Sequence, residues 1–323
     1  MKKWLAGVAL GLGLAGVAQA APFQAFVNGS SSACAFLGGT GTECGNEWNG
    51  TAGASHAFTS DAVVSGAYPG SRFGRATTES HTMLSMAATA GSISGSASVS
   101  ANYRGPRDPD PEKLAYHAWA SSVVNGQWFD TLTVDGGALG TSVLVRMTVS
   151  LQAGISGGTS DADQRAFRTA SAYASLAAAT ERDPESPDKM FFSGTSLFAS
   201  ESDSADSPRT GTLEFMAEVG TPFDVWGVLG ITVDTDIDWI NQSASQHARV
   251  DASHTMRGYF EIVNPMAGQR LSSESGWDYG LTPTPGSTVP EPLTPGLVVM
   301  ALVGLAASRR RSVRPSTTGC VPC

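Results

Sequence analysis

Three aspartates alternate with other residues in the stretch VDTDIDW, at Asp234, Asp236 and Asp238. On a β-strand this spacing places the three carboxylates on one face, about 7 Å apart between successive positions. Carboxylate oxygens are ligands that Ca²⁺ accepts, so these residues suggest a calcium site, and the sequence suggests no other cofactor. The pattern departs from an EF-hand loop, because Trp239 stands where the turn glycine is needed and Ser245 where the final glutamate is needed. A solvated strand face is the alternative interpretation.

A tryptophan belongs to the same predicted strand face. In FDVWGVLGI, Asp224 and Trp226 share the parity of the three aspartates. An exposed indole beside carboxylates can stack on the apolar face of a sugar ring, whereas a buried indole would pack beneath a second layer. The residue therefore leaves carbohydrate binding and core packing open.

One segment matches a catalytic motif. Residues 154–158, GISGG, fit G-x-S-x-G, which needs a strand-to-helix turn with His and Asp partners. Here the match follows a predicted strand, and a chain with 37 glycines produces such matches by chance. The histidines show no metal-binding spacing, and His254 lies on an apolar strand face, as a core residue would. We expect no catalytic residues and no enzyme activity.

The cysteines form two pairs. Cys34 and Cys44 flank a glycine-rich stretch, CAFLGGTGTEC, and an oxidising compartment would join them in a disulfide. A metal site is the alternative, but it would need further ligands, and only His56 is near in sequence. Cys320 and Cys323 form CVPC at the far end, which is weak evidence for redox or metal chemistry without a thioredoxin-like context.

Apolar and polar residues alternate with a period of two through the middle of the chain, which is typical of strands with one buried face. Five runs supply the predicted inward residues: Ile93, Gly95, Ala97, Val99, Ala101 and Tyr103; Val143, Val145, Met147, Val149 and Leu151; Leu213, Phe215, Ala217 and Val219; Phe223, Val225, Leu229, Ile231, Val233, Ile237 and Trp239; Val250, Ala252, His254, Met256, Phe260 and Ile262. We therefore expect an all-β fold, an antiparallel β-sandwich with jelly-roll-like topology.

One stretch fits both a helix and a strand. Residues 163–179, DQRAFRTASAYASLAAA, are rich in alanine, but the alternation of Phe167, Thr169, Ser171 and Tyr173 favours a strand.

Three charged segments rich in Pro, Ser and Asp are predicted surface loops: RGPRDPDPEK, ERDPESPDK and SESDSADSPR. Because none of them divides the chain, residues 21–281 are expected to form one exported domain.

The charge of the exported part excludes some partners. Residues 21–289 contain 14 of the 20 Lys and Arg residues and 28 of the 29 Asp and Glu residues, a net charge of −14. Such a surface repels nucleic acids and anionic lipids, so we expect neither as a partner.

The N-terminus is typical of a secretory signal peptide. Lys2 and Lys3 precede an uncharged apolar run. Ala18 and Ala20 are the small residues that signal peptidase needs, so residues 1–20 are predicted to leave as a cleaved signal helix, with Ala21 as the new N-terminus. An uncleaved anchor helix is the alternative.

The C-terminus carries a second hydrophobic segment. Residues 282–292 form a proline-rich, semi-rigid spacer. Residues 297–307 are uninterrupted and apolar, and they predict one short transmembrane helix. Arg309, Arg310 and Arg311 follow and belong on the cytoplasmic side. Residues 315–323 form an extra C-terminal tail.

The order of Val289, Pro290, Glu291 and Pro292, an apolar stretch and three arginines resembles the C-terminal signature of PEP-CTERM proteins of Gram-negative bacteria. The signature covers residues 289–314 here. The resemblance implies processing by an exosortase, a membrane-embedded peptidase, and release to the cell surface or extracellular matrix. The ectodomain stretches GQWFDTLTVDG and SSESGWDYG also resemble that family. Family tails usually stop soon after the arginines, and a plain unprocessed membrane anchor is the alternative.

These features predict an exported, non-enzymatic protein that is transiently anchored in the inner membrane and then displayed on the cell surface or released. We expect a structural or adhesive role in biofilm or floc, with signal peptidase and exosortase as processing enzymes and extracellular polysaccharide as the partner. The alternative function is a secreted carbohydrate-binding module, with calcium as a candidate cofactor for binding. A secreted hydrolase would need paired carboxylates or a triad.

Overall fold

The computed structural model describes residues 23–37, 40–67, 75–105, 116–159, 166–183, 186–200, 209–238 and 243–280, all within one compact unit. The predicted signal peptide, spacer, sorting motif and tail lie outside these residues, as does Trp239. The side chains of Asp238 and His254 are also outside the description.

The described residues form fifteen strands in two sheets, and every pairing between named strands is antiparallel. Sheet A contains β1 (Gln24–Leu37), β2 (Gly41–Cys44), β3 (Trp48–Ala52), β7 (Tyr116–Asp135), β10 (Ala166–Asp183), β11 (Ser186–Ser200), β13 (Phe223–Asp238) and β15 (Arg270–Ser273). Sheet B contains β4 (Ser55–Ala67), β5 (Arg75–Thr89), β6 (Ser92–Arg104), β8 (Ser142–Leu151), β9 (Gly154–Thr159), β12 (Arg209–Glu218) and β14 (Ala244–Ile262).

The strand order shows nested pairing. Sheet A follows the order β11-β10-β13-β7-β1-β2, and sheet B follows β12-β8-β14-β6-β5-β4. The innermost pair in sequence is β10 with β11, and around it lie β8 with β12, β7 with β13 and β6 with β14. Successive pairs in this nest alternate between the two sheets, so the chain crosses the sandwich repeatedly.

The core lies between the two sheets, where the alternation places it. The predicted inward residues of β6 and β8 are buried, and so are those of β13 up to Ile237. In β14 the alternation is interrupted by a register shift between Ala252 and Met256, yet both flanking residues are buried. Trp128 and Phe260 are among the largest fully buried side chains. Period two therefore predicts the inward face of these strands correctly.

The ambiguous alanine-rich stretch is a strand, β10. Ala170, Ala172 and Ala174 are buried, and Tyr173 is exposed on the opposite face, so the strand prediction is confirmed.

The prediction of a surface loop at ERDPESPDK is largely wrong, because β10 continues to Asp183 and pairs there with Ser186 of β11. The cross-strand ladder of the β10–β11 hairpin outweighs the local turn preference of these polar residues.

A buried carboxylate fixes the segment that closes the domain. Asp130 projects inward from β7 and is 2% exposed. It accepts hydrogen bonds from the Thr131 and Ser275 backbone amides at 2.8 and 3.2 Å, from the Ser275 hydroxyl, and from the Tyr279 hydroxyl at 2.8 Å. The Tyr279 ring packs on Trp128 and Phe260. The stretch SSESGWDYG is thereby attached to the core.

Among the described residues, no helix is long and apolar enough to cross a membrane. The C-terminal segment for which a transmembrane helix is predicted lies outside those residues.

Candidate binding face

The outward side chains of β1, β7, β13, β10 and β11 form one continuous surface, here called the outer face of sheet A. Neighbouring strands in this sheet are directly paired, so the outward residues of adjacent strands lie side by side in rows. The even-numbered residues of β13 point outward on this surface. Trp226 therefore shares a face with Asp224, Asp234 and Asp236, as the sequence predicts.

Three aromatic side chains lie side by side across adjacent strands of this face. The Phe26 and Phe129 ring centroids are 5.9 Å apart, and those of Phe129 and Trp226 are 6.5 Å apart. All three side chains are half-buried, because each covers part of its neighbour. Trp226 is therefore a partly exposed surface residue rather than a core residue.

A tyrosine lies over a glycine at the centre of the same face. A Cβ atom added to Gly230 would lie 1.9 Å from Cε1 and 2.5 Å from Cδ1 of Tyr173, so the phenol ring fills the space that a side chain would need. The Tyr173 hydroxyl donates to Asn125 Oδ1 at 3.1 Å. Burial raises the pKa of Tyr173, so the hydroxyl is a neutral donor at ordinary pH.

The acidic end of the face holds a histidine and a second tryptophan. His117 Nε2 lies 2.7 Å from Asp236 Oδ1, and the imidazole stacks on Trp119 with centroids 4.3 Å apart. Burial, and then the charge of Asp236, raise the pKa of Asp234. The structure thus brings Asp234 and Asp236 onto one face, but the Asp236 carboxylate already has a cationic or hydrogen-bonding partner.

The disulfide predicted between Cys34 and Cys44 is present. The two residues are directly opposite each other on β1 and β2, with Cα atoms 4.1 Å apart. The Glu47 carboxylate lies close to both sulfurs. Because the sulfurs are bonded to each other, they are not free thiolates, and the described geometry is that of a bridge rather than of a metal site.

The segment with the catalytic motif is a strand. Residues 154–159 form β9, and Ser156 pairs with Arg249 of β14. A nucleophile elbow requires a sharp turn into a helix, and this extended segment does not have that geometry. His81 contacts Asp61 on the outer side of sheet B, and His247 covers Gly158. Neither contact brings these histidines to Ser156 as a triad.

Sequence reasoning missed several residues of the outer face, namely Tyr173, Gly230, Asn125 and Phe198. The alternation around Tyr173 predicts a strand but not which side of it faces outward, and the partners of Tyr173 come from strands distant in sequence. One signal could have indicated the position: Gly230 interrupts the outward residues of a strand, and a glycine within a strand often marks close approach of another group. Asp130 carries a comparable signal, because it has the inward parity of Trp128 and Leu132.

Comparison with family models, with curated proteins and with solved structures finds no match to this chain.

Proposed function

We propose that this chain is an exported cell-surface or extracellular-matrix protein, sorted by an exosortase, with a structural or adhesive role in biofilm or floc. It acts without catalysis, through the surface of its sandwich domain. Signal peptidase and the exosortase process it in turn, and the inner membrane holds it between those two steps.

The observation that carries the localisation is the C-terminal signature. Val289 to Pro292, an apolar stretch and Arg309 to Arg311 follow one another in the order typical of PEP-CTERM tails. The signal peptide at the other end supports the same route. The Cys34–Cys44 disulfide agrees with an oxidising compartment.

The sandwich supports a binding role rather than catalysis. We infer a jelly-roll topology from the nested pairing of the eight strands β6, β7, β8, β10, β11, β12, β13 and β14. A rigid sheet of this kind presents outward side chains at fixed spacings. It is therefore a suitable scaffold for adhesion to an extended polymer.

A carbohydrate-binding module is the second candidate, and one observation favours it. The outer face of sheet A combines partly exposed aromatic rings with neutral amide and hydroxyl groups. Aromatic rings contact the apolar face of sugars, while amides bind their hydroxyls. A calcium ion at Asp234, Asp236 and Asp238 belongs to this candidate. It would relieve the repulsion between the carboxylates and would have to compete with His117 for Asp236.

Cell fractionation in the native host tests the sorting proposal. The wild-type chain should be recovered from the extracellular matrix. A Glu291→Ala variant keeps the apolar stretch and the arginines but lacks the motif carboxylate, so it should remain in the membrane fraction. Asp278→Ala, an exposed acid outside the motif, is the matched control and should behave like wild type. A Glu291→Ala protein distributed like wild type contradicts processing at this motif.

A further inference from the structure

One row of residues crosses the outer face of sheet A at right angles to the strands. Phe198 of β11 is paired with Tyr173 of β10, Tyr173 with Gly230 of β13, Gly230 with Asn125 of β7, and Asn125 with Asn28 of β1. These five positions share the outward parity of their strands. The row therefore joins two aromatic rings to two amides through a glycine.

The Tyr173 side chain lies along this row. Its hydroxyl reaches Asn125, which is two strands away, and its ring occupies the space above Gly230 on the intervening strand. Neighbouring strands are about 4.8 Å apart, so the long axis of the phenol must run across the strands rather than stand upright from the sheet. The hydrogen bond to Asn125 fixes this position without covering the solvent side of the ring.

The two aromatic side chains of the row are exposed. Tyr173 is 40% exposed, and Phe198 is 58% exposed. Phe198 and Tyr173 are directly paired, so their Cβ atoms lie about 5 Å apart and the two side chains start side by side, with the Tyr173 ring extending over β13. In contrast, the side chains of Phe26, Phe129 and Trp226 are only half-exposed or less. The Tyr173–Phe198 end of the face therefore offers more free aromatic surface.

On the three inner strands, the outward neighbours of this aromatic surface are neutral. The outward neighbours of the row on the three inner strands are Ser171, Ser175, Thr232, Val228, Gln127 and Val123. Asp234 is four residues along β13 from Gly230, about 13 Å away. Hydroxyl and amide groups donate to and accept from sugar hydroxyls. The Arg209 guanidinium, beside the Phe198 end, donates to the Phe198 backbone carbonyl, and the aspartates at the acidic end repel an anionic polymer.

We propose that Tyr173 and Phe198 form a stacking platform for the rings of a neutral polysaccharide, with Asn125 and Gln127 as hydrogen-bonding partners beside it. The inference rests on the proposed adhesive function, for which it names the ligand class and the site. Gly230 is a positioning residue, because its lack of a side chain is what allows the Tyr173 ring to lie across β13.

Affinity electrophoresis of the full-length chain tests the site. The gels contain galactomannan or hydroxyethyl cellulose as neutral probes and alginate as the acidic probe. Wild type should be retarded by at least one neutral polymer and not by alginate. Tyr173→Ala and Phe198→Ala should each weaken that retardation about tenfold, because each removes an aromatic contact. Tyr173→Phe, which keeps the ring, should bind within about threefold of wild type.

Two further variants keep the result interpretable. Gly230→Ala retains both aromatic residues but displaces the Tyr173 ring, so it should bind as weakly as Tyr173→Ala. Met216→Ala removes an exposed side chain, 52% accessible, from the outer side of sheet B and should bind like wild type. Thermal melting of every variant confirms that the fold is retained. Because Phe198 is on an edge strand and largely exposed, its variant is expected to fold even if Tyr173→Ala does not.

The outcomes separate the site from the function. If wild type binds a neutral polymer and the Tyr173, Phe198 and Gly230 variants bind it equally well, the site is wrong while carbohydrate adhesion stands. Retardation by alginate alone overturns the neutral ligand class. If no polymer retards wild type, or if the Tyr173 variants change only the oligomeric state in light scattering, the platform is not a glycan site. The sorting proposal is unaffected by these results.

Discussion

At the residue scale, Asp130 shows how one polar side chain can organise a core. It lies among Trp128 and Leu132 on the inward side of β7, where an unpaired carboxylate would be costly. Its oxygens accept hydrogen bonds from Thr131, Ser275 and Tyr279. Burial, and then the charge of Asp130, raise the pKa of Tyr279, so the tyrosine hydroxyl keeps its proton and remains a donor.

We expect Asp130→Ala to lower the free energy of unfolding by about 2–4 kcal/mol, because several buried donors lose their acceptor. Tyr279→Phe, which removes one hydroxyl, should cost about 1 kcal/mol. Urea unfolding measures both changes, and proteolysis after residue 273 should become faster in Asp130→Ala. A loss below about 1 kcal/mol in Asp130→Ala would show that these bonds do not hold the closing segment.

Asp234 gives the pH dependence a definite sign. Its pKa is raised in the folded state by burial and by Asp236, so the folded chain holds this proton more tightly than the unfolded chain does. Stability is therefore lost as the pH rises from the ordinary value of 3.8 through the raised folded value. Asp234→Asn should melt at a higher temperature than wild type at pH 7, and the difference should vanish below pH 3.8.

The same variant tests calcium. An ion that binds only the folded state raises the melting temperature, so millimolar calcium should stabilise wild type relative to chelator and leave Asp234→Asn unchanged. Asp236→Asn should also lose the response, because it removes a second ligand. Equal responses in wild type and both variants would reduce these aspartates to a solvated strand face.

At the element scale, the β1–β2 hairpin is covalently closed. Cys34 and Cys44 are ten residues apart in sequence and directly opposite in register. The unfolded chain loses conformational freedom when this loop is closed. Cys34 is buried and Cys44 is exposed, so the bridge joins the sandwich to a strand that has few core contacts of its own.

We expect the double variant Cys34→Ala/Cys44→Ala to be less stable by about 2.5–3 kcal/mol in urea unfolding. Dithiothreitol should lower the stability of wild type by a similar amount and leave the double variant unchanged, which separates the bridge from packing of the Cys34 side chain. Thiol labelling of unreduced protein should modify neither cysteine. Quantitative labelling of both would contradict the bridge.

The elements also show what the sequence can and cannot predict. A period of two identifies which side of β6, β8 or β13 is buried, because the pleat alternates with the same period. It does not identify the partner strand, so Gly230 of β13 marks a close approach without showing that Tyr173 of β10 is the group that makes it. Local turn preference likewise failed at Asp183, where pairing with β11 determined the conformation.

At the scale of the whole molecule, the central claim is that the sandwich is exported and then separated from its tail. If the domain is released as proposed, the net charge of −14 on residues 21–289 favours its solubility and opposes contact with anionic partners. The aromatic platform that we propose on the outer face of sheet A would then hold the domain in a polysaccharide matrix. Release into the matrix requires removal of the predicted membrane segment, residues 297–307.

C-terminal mass spectrometry of the protein recovered from the surface material of the native host tests this claim most directly. The account predicts mature chains that begin at Ala21 and lack the residues after about Pro292, because signal peptidase and exosortase act at the two ends. Peptides from the sandwich, such as those around Asp130, should be abundant in the same samples. Recovery of intact peptides covering Arg309–Cys323 from the extracellular fraction would contradict the account.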